Sequence, residues 1–294
     1  MVSGWYGQGQ PGWFAQYWKH IIAPVLEAKT PYAIILGNHD DEADLSRRQI
    51  LMLDKSMGGN LSFTQQGPLG VGGASNYYVN VFPSGNGSTL VPAARLWFFD
   101  SMDVGCAGFS GSWGCVTSTA VQWANDTLSK LLPVPSLAFV HIPLPETMAA
   151  WANDTRAVGY KGELSNCPLI NTGLFNVLKS SGVGSVWSGH DHDNDYEASV
   201  ESVSIGYGRK TGYGSYGILV HGARIIQLSQ GSSTQNASTW ITTESGARTF
   251  QQIYIRDYSQ EQAACTSNGE GLNDKFGNLF SAFVSLFIII VLNS

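Results

Sequence analysis

The chain has 294 residues, enough for one large domain or two small ones. Apolar residues make up 43%, which excludes wholesale disorder, while charged residues reach only 13% against a usual ~25%. The net charge is −6 and no stretch gathers Lys and Arg, so a nucleic-acid partner is excluded, and handling an anion such as phosphate would call for metal ions.

In chain order, 12–29 places Trp13, Tyr17, Ile21 and Val25 at four-residue steps and reads as an amphipathic helix broken by Pro31. Residues 32–36 (YAIIL) read as a short buried strand, and 44–57 as a helix with Asp44 available as its cap. Strands follow at 76–82 and 94–100, then a helix at 117–132 that Pro133 stops. Residues 136–141 read as strand, 171–181 as helix and 184–188 as strand, and from 197 on the pattern is β-rich. The string WANDT occurs at 123–127 and at 151–155, but its flanks differ and it is no repeat. Strand–helix alternation followed by strands argues for α/β layers: one domain over 1–258, a polar linker at 259–275 and a hydrophobic tail at 276–294.

The tail is apolar from Phe276 to Leu292 and is preceded by small residues and a polar spacer. It reads as a GPI-attachment signal, with a short membrane anchor or a core helix as alternatives. A GPI signal implies the secretory pathway and a cell-surface place. Yet the N-terminus has neither a basic n-region nor an apolar h-region, so the expectation is a chain shortened at its front. Five N-x-S/T sequons, at Asn60, Asn86, Asn125, Asn153 and Asn236, fit a glycoprotein. Four cysteines allow three pairings, and the short Gly-rich stretch between Cys106 and Cys115 favours that one. Two G-x-G-x-x-G matches, at Gly7 and Gly212, lack the strand-turn-helix context of a dinucleotide site, and there is no G-x-S-x-G elbow.

Chemistry collects at strand ends. Of six histidines, His39 follows IILGN, His141 follows LAFV, and His190 and His192 follow VWSG. Carboxyl ends of strands in α/β sheets are where ligands bind, and imidazoles delivered to one rim make a metal-site constellation. His20 and His221 read as ordinary surface or core residues.

These residues carry a resemblance. Gly37-Asn38-His39-Asp40, His141 at a strand end and Gly189-His190-Asp191-His192 resemble the calcineurin-like metallophosphoesterase superfamily. The longer strings GNHDDE, LSRRQ, HIPLPE, SGHDHDNDY and GRKTGYGSYG resemble its purple-acid-phosphatase-related branch, of the fungal and plant type. The resemblance implies two packed mixed β-sheets flanked by helices, around a site that holds two metal ions, Fe, Zn or Mn. It assigns Asn38, His141 and His190 to the second metal and His192 to the first. His39 would be catalytic, stabilising the oxyanion or protonating the leaving oxygen. Asp40, Asp191, Asp193 and Asp195 would support the imidazoles from behind. The family pattern also needs earlier D-x-H and G-D strand ends, which these residues do not contain. The expected function is hydrolysis of phosphate monoesters, hydroxide attacking phosphorus in line between the metals. The alternatives are a phosphodiesterase, or a non-catalytic surface glycoprotein that keeps the fold with half the metal site.

Overall fold

The computed structural model describes residues 7–83, 91–229, 237–249, 251, 264–265 and 290–293. Its first helix, α1 (Trp13–Glu27), buries a stripe of Phe14, Trp18 and Ile22 at four-residue steps. The free amides at its start are capped from outside. Asp44 accepts from Gly12 N at 2.6 Å and from Phe14 N at 3.0 Å. The second helix, α2 (Arg47–Gly58), begins after Ser46, whose own N–H donates to Gln49 Oε1 at 2.9 Å in a capping box. The expectation that Asp44 caps this second helix is therefore corrected. A carboxylate suits any helix start, and the tertiary arrangement gives it to α1.

Between the helices, Ile34, Ile35 and Leu36 are buried, as an apolar strand would be. Among the described residues the segment makes no ladder; it is held by a single bridge between Tyr32 and Ser62, a bond from Ile34 N to Thr64 Oγ1 at 3.3 Å and one from Tyr77 OH to Ile34 O at 2.5 Å.

The chain then alternates. It forms β1 (Tyr77–Val81), β2 (Ala94–Phe99), a hairpin of β3 (Val104–Cys106) and β4 (Phe109–Trp113), and α3 (Ser118–Leu128). After these come β5 (Ser136–Val140), α4 (Glu146–Asn153), α5 (Leu174–Ser180), β6 (Val183–Ser188), β7 (Glu197–Val200) and β8 (Val203–Tyr207). The last strands are β9 (Gly222–Ser229), β10 (Ser238–Thr243), β11 (Arg248–Thr249) and β12 (Ile290–Asn293). Six strands make a mixed sheet in the order β1-β2-β5-β6-β8-β7, parallel at its centre and antiparallel at both edges. Four more form a second mixed sheet, β11-β10-β9-β12.

The central strands are buried on both faces, which is why they read as unbroken apolar runs. Alternation still sorts their side chains. Trp97, Phe99, Ala138, Val140 and Val186 face α3, α4 and α5, which contribute Ala120, Ala124, Trp151, Phe175 and Leu178. Leu96, Phe98, Leu137, Phe139 and Trp187 face the other way, onto Ile226 and Leu228 of β9 and onto Ile35. The expected sandwich of mixed sheets flanked by helices is the architecture observed.

Disulfides join Cys106 to Cys115, the favoured pairing, and Cys167 to Cys265. Asn60, Asn125 and Asn153 are exposed, while Asn86 and Asn236 lie outside the described residues. Most of the linker and of the hydrophobic tail also lies outside them, so the GPI reading falls there. The part of the tail that is described, β12, runs parallel to β9. No helix among the described residues is long and apolar enough to cross a membrane.

Candidate metal centre

Parallel strands deliver their ends to one rim. Strand β5 stops at Val140, so His141 is the first residue beyond it, and β6 stops at Ser188, two residues before His190. Gly189 N donates to His141 O at 3.0 Å, which locks the two strand ends together. His190 then turns sharply, with φ at 74°, a left-handed conformation that few side chains adopt without a reason. From the far side comes the loop after the 32–36 segment. Its Gly37 is packed so tightly that a Cβ there would lie 3.1 Å from Cε1 and Nε2 of His141. Any side chain at this position would need the ring to give by a few tenths of an ångström.

The result is a three-donor cluster. Asn38 Oδ1 lies 2.8 Å from His141 Nε2 and 3.3 Å from His190 Nδ1, and the two imidazole centroids are 5.3 Å apart. Metal–nitrogen bonds of ~2.0–2.1 Å separate neighbouring ligand atoms by roughly 3 Å, the spacing found here. The rings are also in the protonation state that a metal needs. Burial, reinforced by His190, holds His141 well below the ordinary imidazole range. Burial and the neighbouring His192 bring His190 down to about 3, and burial with Lys210 does the same for His192. A neutral imidazole can bind a metal once its proton stands on the other ring nitrogen, which for His141 means moving it from Nε2, the nitrogen that faces Asn38, to Nδ1.

The other expected residues stand around this cluster. His39 is half-exposed, with Nδ1 2.7 Å from Glu42 Oε1. His192 stacks on Tyr216 at 4.4 Å and turns Nδ1 toward the Tyr216 carbonyl at 3.3 Å. That contact fixes the ring's rotation from behind. Asp40 is buried and accepts from Gly37 N at 2.5 Å, closing the turn that carries Asn38 and His39. Asp191 accepts from the Asn166 side chain at 2.7 Å and from Tyr207 OH at 2.7 Å. Burial and nearby Glu163 push it up to about 7. Asp193 Oδ1 accepts from Ile218 N at 2.6 Å. Asp195 accepts from Tyr160 N at 2.8 Å and Arg209 Nε at 2.9 Å. The last three carboxylates thus brace the loop that carries His190 and His192. His20 donates to or accepts from nothing near the site, its Nδ1 meeting Gln16 O of its own helix at 2.8 Å.

The described residues fit one ion through Asn38, His141 and His190. Among them no group of three or more His, Cys, Asp or Glu is gathered closely enough to hold a metal, so the set reaches three only with the Asn38 carboxamide. Several neighbours escaped sequence reasoning. Trp113 of the hairpin lies edge-on to His190 at 4.6 Å. Glu163 accepts from Asp193 N and from Tyr216 OH, both at 2.7 Å, and so braces His192 from two sides. Arg47 grips the carbonyl of Gly37. Arg47 and Tyr216 fall within strings that carry the family resemblance, but nothing in a string tells a site residue from a structural one.

No family model matches the chain. Among curated proteins, it is 32% identical over 216 residues to "Probable inactive purple acid phosphatase 28" of Arabidopsis thaliana, covering 67% of this chain and 53% of that one. It is 30% identical over 217 residues to "Probable inactive purple acid phosphatase 14" of the same plant, with 67% and 53% covered. With "Phosphatase DCR2" of Saccharomyces cerevisiae it shares 31% identity over 191 residues, 60% of this chain and 32% of that one. The chain spans about half the length of the plant relatives it matches.

Proposed function

This chain is a homologue of the purple-acid-phosphatase-like proteins, and from that premise we propose that it serves metal-dependent hydrolysis of phosphate monoesters. The observation that carries the reading is the gathering of His141 Nε2 and His190 Nδ1 about Asn38 Oδ1 at the strand-end rim. The chemistry follows from charge. A phosphate ester is anionic and repels an incoming oxygen nucleophile, and a divalent metal ion, Fe, Zn or Mn by its mixed nitrogen and oxygen donors, supplies the positive charge that offsets this. Asn38, His141 and His190 would hold that ion, and His192 would serve a second one. His39, oriented by Glu42, would pass a proton to the leaving oxygen. All four cysteines are paired, which supports a place in an oxidising compartment, the secretory pathway or the cell surface.

A second reading has its own support. Both plant relatives named above carry "probable inactive" in their names, and among the described residues no group of three or more His, Cys, Asp or Glu could hold a metal ion. A non-catalytic protein that keeps one metal on the same fold fits both facts.

Calorimetric titration of the 294-residue chain with Zn²⁺ or Mn²⁺, followed by assay with aryl phosphate monoesters and diesters, separates them. The proposal expects one ion bound, slow monoester turnover that depends on it, and loss of both in His141→Ala. Metal binding without turnover leaves the non-catalytic reading, and faster diester cleavage makes the protein a phosphodiesterase.

A further inference from the structure

The three donors come from unlike parts of the fold. His141 and His190 follow parallel strands and inherit the sheet's register. Asn38 follows a segment that makes no ladder with that sheet among the described residues, so another device must set its distance to His141.

Asp100 supplies the anchor. It is the first residue after β2, and the parallel register that pairs Phe99 with Val140 sets it beside His141 on the rim. It is fully buried and accepts from Ala74 N at 2.6 Å, Met102 N at 3.0 Å and Ser75 N at 3.3 Å. On this anchor sits the guanidinium of Arg47, with Nη2 at 2.5 Å and Nε at 3.3 Å. The remaining nitrogen, Nη1, donates to Gly37 O at 2.9 Å and to Asp41 Oδ1 at 3.1 Å. One planar fork therefore grips the sheet with one edge, and with its third nitrogen both ends of the stretch that carries Asn38, His39 and Asp40.

An ordinary salt bridge that seats α2 would explain less. The helix is already fixed by Ile50 and Leu51, packed with Phe14, Ile22 and Leu36. The bond to the Gly37 carbonyl adds nothing to that packing, but it ties the turn that carries Asn38 back to Asp100, whose strand β2 is paired with the strand that precedes His141. We propose that Arg47, seated by Asp100, is a positioning residue that registers Asn38 against His141 and so sets the metal-binding geometry. The inference rests on the metal reading above. Lysine keeps the charge but has no fork, so it cannot hold both edges at once.

The test uses Arg47→Lys and Asp41→Asn in the 294-residue chain, with two readouts. The first is Zn²⁺ affinity by calorimetry, where Arg47→Lys is expected to lose about 10–100-fold, the scale seen when partners behind metal ligands are removed. The second needs no metal: two-bond ¹H–¹⁵N spectra of the His141 ring, which Asn38 Oδ1 holds in a single tautomer. Arg47→Lys should mix the tautomers while the melting temperature stays near that of the parent. If Arg47→Lys does not fold, Asp41→Asn, which removes only a partly exposed partner, should still lower Zn²⁺ affinity several-fold. Folded variants with unchanged affinity and an unchanged His141 spectrum overturn the proposal. A parent chain that binds no metal, but whose His141 tautomer still responds to Arg47→Lys, refutes the metal reading and leaves the positioning role standing.

Discussion

At the scale of single residues, close approach and charge do the deciding. Gly37 is the position where an added methyl would crowd the His141 ring at 3.1 Å. Gly37→Ala is expected to push the imidazole away from Asn38, costing about 1–3 kcal/mol of stability from overpacking and at least tenfold in Zn²⁺ affinity. Thermal unfolding and calorimetry together check this, and an unchanged affinity would refute it. Asp100 supplies a prediction in pH. Burial pulls its carboxyl upward, but the Arg47 guanidinium and the N–H groups of Ala74 and Met102 outweigh that and hold it below the usual carboxylate range. The unfolded chain thus binds this proton more readily than the folded one. The resulting stability is present above the ordinary carboxylate value of ~3.9 and is lost as pH falls through the lower folded value. Urea unfolding between neutral pH and pH 3 should show this fall in the parent and a flatter acid limb in Asp100→Asn. That variant should also be about 3–5 kcal/mol less stable at neutral pH, because it removes the buried carboxylate and leaves the Arg47 charge only the partly exposed Asp41.

At the scale of elements, local stops and staples place the walls of the site. Helix α3 starts at Thr117, whose Oγ1 accepts from Ala120 N at 3.3 Å, so Thr117→Ala should cost about 1 kcal/mol in chemical denaturation. The β3–β4 hairpin holds Trp113 against His190 and is closed by the Cys106–Cys115 bridge over a separation of nine residues. By loop entropy a bridge of that span contributes about 2–3 kcal/mol. Replacing both cysteines by serine should lower stability by that amount and leave Trp113 more open to an aqueous fluorescence quencher. Neither this hairpin nor α4 is legible in the sequence. The hairpin strands are three and five residues long with little alternation, and α4 spans eight residues, too short to establish a period. The string WANDT illustrates the same limit. Its first copy lies inside α3, while its second ends α4 at Asn153, so context rather than the string sets where a helix stops.

At the scale of the molecule, β5 is, with β2 and β6, a strand that serves the cores on both faces of the sheet. Its Ala138 and Val140 serve the helical face, and Leu137 and Phe139 serve the face against β9. Phe139 stacks on Phe98 at 5.4 Å within this second core. Phe139→Ala should cost about 3–5 kcal/mol, read in thermal unfolding, and should disturb His141 two residues further on. Arg224 adds a polar tie between the sheets. It is buried over the Trp187 ring at 5.0 Å and donates to Tyr207 O at 2.6 Å.

The sequence by itself determined the parts that rest on local pattern. Unbroken apolar runs marked the central strands, because a strand buried on both faces has no polar side to show. Histidines placed directly after those runs marked the rim, since a parallel sheet delivers all its strand ends to one side. Tertiary structure alone decided the rest. Which helix Asp44 caps, which strand end lies beside His141, and which of many arginines grips Gly37 all depend on residues 10 to 53 positions apart, and no local period records such pairs. Whether 32–36 forms a ladder likewise depends on a neighbouring backbone rather than on the segment itself. An apolar pattern fixes what a residue must avoid, which is water, whereas hydrogen bonds and charges need a particular partner, and only the folded chain supplies one.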